Sequence, residues 1–402
     1  MIPRHLAPAL LKAAQDFPIV TLTGPRQSGK TTLVRTALPQ HAYVSLEDPE
    51  QRRFALEDAR GFLAQFPENV ILDEAQRVPD LFSYIQIIVD ENPQRKGRFI
   101  LTGSENFLLL SKVTQSLAGR CAILHLPPFS RAELAREPLT DLANLIDSQL
   151  LTPSSDRNQQ LFKALFTGGY PRIHDQSLDP QTWLAAYYQT YVERDVRELL
   201  NIGDVETFGR FIGLCAGRVG QLLNLSSLAN DCGISHSTAR RWISVLEASF
   251  IVMLLRPYHE NFNKRLVKSP KLHFLDSGLL CYLLRIRDPQ DLALHASRGA
   301  IFESWVVSEA VKNFMNRGLR PELSFWRDSI GHEIDLIIDA GHGKAVPVEI
   351  KSGQTFSEDF VENLDWWRNI SGAPAQTGVL VYGGDKSFTY KSNRVLSWQT
   401  WA

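Results

Sequence analysis

The sequence predicts an α/β chain built of several domains. Three observations carry that reading. A β-branched run, a glycine loop and a helical pattern follow one another over residues 18–38. A second apolar run ends in Asp73-Glu74. Further on, two short apolar strands carrying Asp335 and Glu349 are joined by a glycine turn. The 402 residues exceed one ordinary core and predict about two to four domains. Apolar content of 44% with 22% charged residues excludes a disordered or fibrous class. The net charge of −1 leaves no overall basic surplus, so nucleic-acid contact needs a local patch. No apolar run approaches the roughly 20 residues of a membrane span. Met1-Ile2-Pro3-Arg4-His5 carries no signal-peptide pattern, so a cytoplasmic location without a membrane partner is expected. Cys121, Cys215, Cys232 and Cys281 show neither metal-ligand spacing nor a disulfide framework, which fits a reducing compartment.

Taken in order, residues 6–16 place Leu6, Leu10, Leu11 and Ala14 on one side of a helix. Pro18 to Thr23 reads as a buried strand. Gly24-Pro25-Arg26-Gln27-Ser28-Gly29-Lys30-Thr31 then fits the spacing of a Walker A phosphate loop. The helix that follows is stopped by Pro39. Glycines let the backbone curl until its amides face phosphate oxygens, and the helix N-terminus favours negative charge. Gly24, Pro25, Arg26, Gln27, Ser28, Gly29, Lys30, Thr31 and Thr32 are the expected ATP-binding loop. Lys30 would reach the β- and γ-phosphates, and Thr31 would hold Mg²⁺.

A strand is expected at residues 42–46, and another at 69–74. Asp73 at the end of the latter would bind Mg²⁺ through water, and Glu74 would orient and deprotonate the attacking water. Arg98 to Ser104 is an apolar strand ending in hydroxyls. Ser104 is the candidate phosphate or water sensor, with a plain strand-ending turn as the alternative. Arg120 follows Ser116-Leu117-Ala118-Gly119 and precedes the strand 121–126. It reads either as an arginine finger for a neighbouring subunit or as a solvated arginine ending a helix.

This order of elements resembles the AAA+ class of ATPases. More closely, it is similar to the bacterial and archaeal family joining such an ATPase to a C-terminal domain of unknown function. The match is carried by Gly24-Pro25-Arg26-Gln27, by Leu72-Asp73-Glu74-Ala75-Gln76-Arg77-Val78-Pro79 and by Leu101-Thr102-Gly103-Ser104. Thr167-Gly168-Gly169-Tyr170-Pro171 and Lys271-Leu272-His273-Phe274-Leu275-Asp276 extend it over nearly the whole chain. The resemblance implies ATP binding and hydrolysis, and a helical lid over the nucleotide. Residues 129–205 are mostly helical by pattern, with Leu184, Tyr187, Tyr188, Tyr191 and Val192 on one face. Arg172 or Arg194 reads either as a second phosphate sensor or, the better fit for each, as a surface arginine of that lid.

Residues 225–235 and 236–246 read as two short helices around a glycine turn. Leu228, Ala229, Ile234, Ala239, Ile243 and Leu246 point inward, and Ser237, Arg240, Arg241 and Ser244 outward. A β-rich stretch from Phe250 and the basic segment with Lys264, Arg265 and Lys268 complete what resembles a winged helix. That resemblance implies DNA contact through Arg240, Arg241, Lys264, Arg265 and Lys268, although such modules also bind proteins.

In the last part, Glu303 lies near the start of a helix, and Asp335 lies on a strand. Glu349 and Lys351 are two apart on the next strand and share a face. Carboxylates gathered on one face repel unless a cation such as Mg²⁺ neutralises them. The constellation resembles the PD-(D/E)xK, restriction-endonuclease-like superfamily. It implies that Asp335, Glu349 and Glu303 bind metal and that Lys351 orients or activates water, with Glu333 as an outer ligand. Trp366 and Trp367 read as packing residues, and residues 377–382 as the closing strand.

The expected division is therefore an AAA+ core at 1–128, a helical lid at 129–205, a winged helix at 206–270 and a nuclease-like α/β domain at 271–402. The expected function is an ATP-driven, DNA-associated homo-oligomer, possibly a ring, with a metal-dependent nuclease-like domain. The alternative is an ATP-dependent switch or scaffold that cuts nothing. A small-molecule kinase fits less well, because no acceptor domain is visible.

Overall fold

The computed structural model describes residues 2–103, 117–145, 161–191, 205–258, 267–341, 344–371 and 378–401. They form two units. One comprises Met1–Phe129 with Ala248–Phe250 and Phe314–Arg320. The other comprises Ser130–Glu247, Ile251–Asn313 and Pro321–Ala402.

In the first unit, β1 (Ile19–Thr23), β2 (Ala42–Ser45), β3 (Val70–Asp73), β4 (Phe99–Gly103) and β5 (Cys121–His125) form one sheet in the order β2-β3-β4-β1-β5. Its four pairings are all parallel. Strand alternation sorts the side chains between two cores. Ile19, Val70, Leu72, Phe99 and Leu101 meet Phe62 of α3 (Ala59–Ala64) and Leu81, Phe82, Ile85 and Val89 of α4 (Leu81–Glu91). Their neighbours Val20, Leu22, Ile71 and Ile100 meet Leu10 and Ala13 of α1 (Ala7–Asp16) and Leu33 and Val34 of α2 (Lys30–Ala37). A sheet covered on both faces leaves its C-terminal edge as the place for a ligand. Thr23 pairs there with Gly103 and His125, and Ser45 with Asp73.

The second unit contains a mixed sheet of eight strands in the order β12-β13-β11-β10-β9-β8-β6-β7. These are β6 (Val252–Pro257), β7 (Lys271–Phe274), β8 (Leu323–Arg327), β9 (Glu333–Asp339), β10 (Ala345–Lys351), β11 (Gly378–Tyr382), β12 (Phe388–Tyr390) and β13 (Asn393–Ser397). Trp326, Ile334, Ile337, Leu364, Trp367 and Leu380 are buried together against the helix Glu362–Ser371. Trp367 is thus a packing residue.

Three expectations change here. The border expected between residues 270 and 271 falls inside the antiparallel β6·β7 pair, which also joins β8. Strand β11 does not close the sheet: all five of its residues are buried, and β13 pairs with it in parallel. The helices Leu161–Thr167, Pro171–Asp175 and Pro180–Tyr187, expected as a lid, belong to the second unit. Their anchor is Asp276, whose carboxylate accepts the Gly169 N–H at 2.7 Å and caps the helix Ser277–Leu283 through the Leu279 N–H at 2.9 Å. The Thr167–Pro171 and Lys271–Asp276 phrases therefore meet in space and lock each other.

Candidate functional site

The loop after β1 is shaped by contacts that only glycine permits. Gly24 has φ 152°, and a side chain there would collide with the carbonyl of Leu126. Gly29, at φ 91°, precedes the first turn of α2. Gln27 takes the left-handed conformation at φ 67° without being glycine, a strain of the kind found at ligand-binding loops. Arg4 ties the loop from outside, donating to the carbonyls of Ser28 at 2.8 Å and Pro127 at 2.6 Å. Inside the loop, the Lys30 ammonium is only 6% exposed and donates to the carbonyls of Gly24 and Pro25, each at 3.0 Å. Burial pulls its pKa down to about 8, against the opposing pull of Glu74 and Asp73. Among the described residues, the buried Ser28 Oγ has no hydrogen-bond partner. Such a group suits a polar ligand in the loop.

Asp73 is the hub at the strand ends. Its Oδ2 accepts from the Thr31 hydroxyl at 2.9 Å and the Tyr43 hydroxyl at 2.8 Å, and its Oδ1 accepts from the Thr102 hydroxyl. Burial, then the bond to Asp73, pushes the Tyr43 pKa up to about 12. The structure thus brings Lys30, Thr31 and Asp73 together, and a hydroxyl beside a carboxylate is an oxygen donor set that fits Mg²⁺. Glu74 follows in the left-handed conformation, φ 55°, with Gln76 Nε2 donating to its Oε2 at 2.5 Å. Arg120 is held elsewhere: its Nε and Nη2 donate to the two Asp90 oxygens at 2.5 and 2.9 Å. Ser104 lies outside the described residues.

In the second unit, β9, β10 and the helix Arg298–Asn316 bring Asp335, Glu349 and Glu303 to one region. The Ile350 N–H donates to Asp335 Oδ2 at 2.9 Å, just past the last β9·β10 register pair, Val348 with Leu336. Glu349 is 0% exposed. Lys351 Nζ donates to its Oε2 at 2.9 Å, and among the described residues its Oε1 has no partner. Burial and the nearby Asp335 charge push the Glu349 pKa up to about 8, with Lys351 opposing. Burial likewise pushes Glu303 up to about 7, against Lys271. Lys271 sits among Glu303 at 2.8 Å, Glu333, and Asp335 at 3.9 Å. Burial disfavours its charge, but the three carboxylates outweigh burial and hold its pKa above the usual lysine value. Among the described residues, no three acidic, His or Cys side chains form a ready metal cage.

Residues 16–135 match the family described as AAA domain. Residues 158–290 match a domain of unknown function, DUF8612, and residues 298–401 another, DUF4143. The uncharacterized protein Rv2008c of Mycobacterium tuberculosis is 30% identical over 358 residues, which cover 88% of this chain and 74% of that protein. The chain belongs to its family. An uncharacterized protein of Haemophilus influenzae is 24% identical over 295 residues, 66% of this chain and 68% of its own. Among solved structures, the Walker-type ATPase PABY2304 of Pyrococcus abyssi covers 71% of this chain and 96% of its own at 15% identity and a TM-score of 0.41. A RuvB variant of Thermotoga maritima covers 62% and 87% at 17% identity and a TM-score of 0.26. The first unit of this family member is an AAA-type P-loop domain, with ATP as the nucleotide such loops bind.

Three helices, Val205–Ala216, Leu225–Cys232 and His236–Ala248, precede β6. Leu228, Ala229, Ala239, Ile243 and Leu246 are buried as patterned, and Arg240, Arg241 and Lys268 are exposed. Trp242 joins that core, edge-on to Phe208 and Phe211. Arg240, His236, Ser244 and Lys268 line a groove of about 700 Å³. Lys264 and Arg265 lie outside the described residues. Sequence reasoning missed Tyr43, Arg4 and the role of Lys271. A phenol or ammonium on a strand carries no local signal for a partner tens of residues away. Among the described residues no helix is long and apolar enough to cross a membrane.

Proposed function

We propose that this protein hydrolyses ATP at the AAA-type loop and couples turnover to nucleic-acid handling in its second unit, working as a homo-oligomer. The observation that carries the first part is the Thr31–Asp73–Lys30 arrangement, with Glu74 next in line. Mg²⁺ held by Thr31 and Asp73 would neutralise phosphate charge. Lys30 turns its ammonium from the loop carbonyls to the β- and γ-phosphates, and Glu74 takes the proton of the attacking water. Arg120 serves a neighbouring subunit once Asp90 releases it.

DNA contact through a winged-helix arrangement is supported by the exposed Arg240 and Arg241 and by the groove that gathers Arg240 and Lys268. A nuclease-like C-terminal site is supported by Glu349, buried near Asp335 with an Oε1 that has no hydrogen-bond partner among the described residues. Asp335, Glu349 and Glu303 would hold Mg²⁺, and Lys351 would orient the attacking water. ATP turnover and DNA cleavage, assayed side by side on wild type, Lys30→Ala and Asp335→Ala, test both parts. Lys30→Ala is expected to lower turnover about 100-fold or more. Turnover that survives Lys30→Ala removes the first assignment, and metal-dependent cleavage that survives Asp335→Ala removes the second.

A second reading is favoured by Lys271. An ammonium already seated among three carboxylates suits an ATP-dependent switch or scaffold whose C-terminal domain binds a partner without cutting. ATP turnover with no cleavage of DNA or RNA at millimolar Mg²⁺ selects this reading.

A further inference from the structure

The Lys271 ammonium meets three carboxylates, those of Glu303, Glu333 and Asp335. It is 2% exposed, and its Nζ also lies 5.6 Å from the centre of the Phe325 ring. The carboxylates come from two elements, Glu303 from the helix Arg298–Asn316 and Glu333 and Asp335 from β9, with β7 supplying the lysine. Arg327 adds one further positive group at Glu333, at 3.1 Å. Glu349, on which the Asp335 charge acts, is wholly buried with Oε1 unpartnered among the described residues. With Lys351 on Glu349, four carboxylates here share three cationic groups, and among the described residues one buried carboxylate oxygen lacks a donor. Burying such an excess is costly unless another cation or proton supplies the missing contact.

The backbone that carries Lys271 is pinned on the other side as well. The Gly220 N–H donates to the Leu272 carbonyl at 2.8 Å, the Leu272 N–H to Gln221 at 3.0 Å, and the Leu223 N–H to Pro270 at 2.8 Å. Strand β6 holds the opposite edge, pairing Leu255 with Lys271. The ammonium therefore cannot leave by a shift of its own strand alone, and an arriving metal ion must compete with it for Glu303 and Asp335.

We infer that Lys271 is the resident cation of this cluster, so that a divalent metal ion binds Asp335, Glu349 and Glu303 tightly only when the Lys271 ammonium is removed or withdrawn. This rests on reading those carboxylates as a metal-ligand set. It adds a built-in block that the bare ligand pattern does not contain.

Mn²⁺ binding to the full-length, nucleotide-free chain tests it, followed by calorimetry and by the electron paramagnetic resonance of free Mn²⁺. Lys271→Met is expected to gain one bound ion with an affinity about 100-fold above any wild-type binding at that site, the effect of removing one unit charge about 4 Å away. Adding Asp335→Asn to Lys271→Met is expected to abolish the gain, which separates this site from the P-loop. Equal Mn²⁺ binding by wild type and Lys271→Met overturns the inference, as does a gain that persists with Asp335→Asn. Thermal melting covers the case of a poorly folded variant. A melting transition of Lys271→Met restored by Mn²⁺, but unaffected in wild type, supports the inference. Failure of Mn²⁺ to restore Lys271→Met, with no gain in Lys271→Gln, overturns it. Cleavage is read separately. Lys271→Met that binds Mn²⁺ and cuts nothing sinks the nuclease reading alone, and wild type that cuts at micromolar Mg²⁺ sinks the block alone.

Discussion

Acid should remove the contribution of His273 to the stability of the second unit. The imidazole is 0% exposed on β7, and among the described residues neither of its nitrogens has a hydrogen-bond partner. Burial pushes its pKa down to about 3 from 6.5, and the Lys271 charge acts in the same direction. The folded pKa is lowered, so the unfolded chain takes up the proton first. The His273 contribution is intact above pH 6.5 and is lost as the pH falls towards 3. Linkage gives about 1.4 kcal/mol per pH unit inside that window, hence about 2 kcal/mol lost by pH 5. Glu303 and Glu349, pushed up to about 7 and about 8, titrate in the same range with the opposite sign. They are present in both proteins when wild type is compared with His273→Leu, so their effect cancels in the difference. Urea unfolding of the second unit at about pH 7.5 and about pH 5 is the assay. The change in stability from about pH 7.5 to about pH 5 is expected to be about 2 kcal/mol less favourable for wild type than for His273→Leu. Equal changes in the two proteins refute the reasoning, because the pH dependence then lies in other groups.

Other consequences are as direct. Gly24→Ala puts a methyl group against the Leu126 carbonyl at φ 152° and should cost about 1–3 kcal/mol of stability or abolish ATP binding, read by melting and calorimetry. The Arg240→Glu, Lys268→Glu pair should weaken DNA binding at low salt and flatten its salt dependence; an unchanged salt slope removes the proposed interface. Arg120→Ala should leave the fold intact, since its partner Asp90 is surface-exposed, while lowering ATP turnover of the assembled protein about 100-fold or more if the arginine acts in trans. Turnover at the wild-type rate in a protein that remains oligomeric discards the finger.

Some of this architecture is legible without coordinates, because it is local. A Gly-x-x-x-x-Gly-Lys-Thr spacing needs one strand, one turn and one helix start, and β1, the loop and α2 supply them in sequence. Alternation along Ile19–Thr23, and the two-residue spacing of Glu349 and Lys351, are properties of an extended backbone whatever surrounds it. The outward face of the helix His236–Ala248 follows from its period in the same way.

What the coordinates add are pairings between residues far apart in the chain. Sheet order places β3 between β2 and β4, which lets Tyr43 and Thr102 converge on Asp73. It also attaches the β6·β7 pair to β8, which delivers Lys271 to Glu303 and Asp335. The sequence by itself determined where phosphate and carboxylate chemistry could reside, because backbone geometry and side-chain period are read over a few residues. Only the tertiary structure decided which ammonium neutralises which carboxylate, because that depends on strand order, and strand order is set by the packing of whole layers.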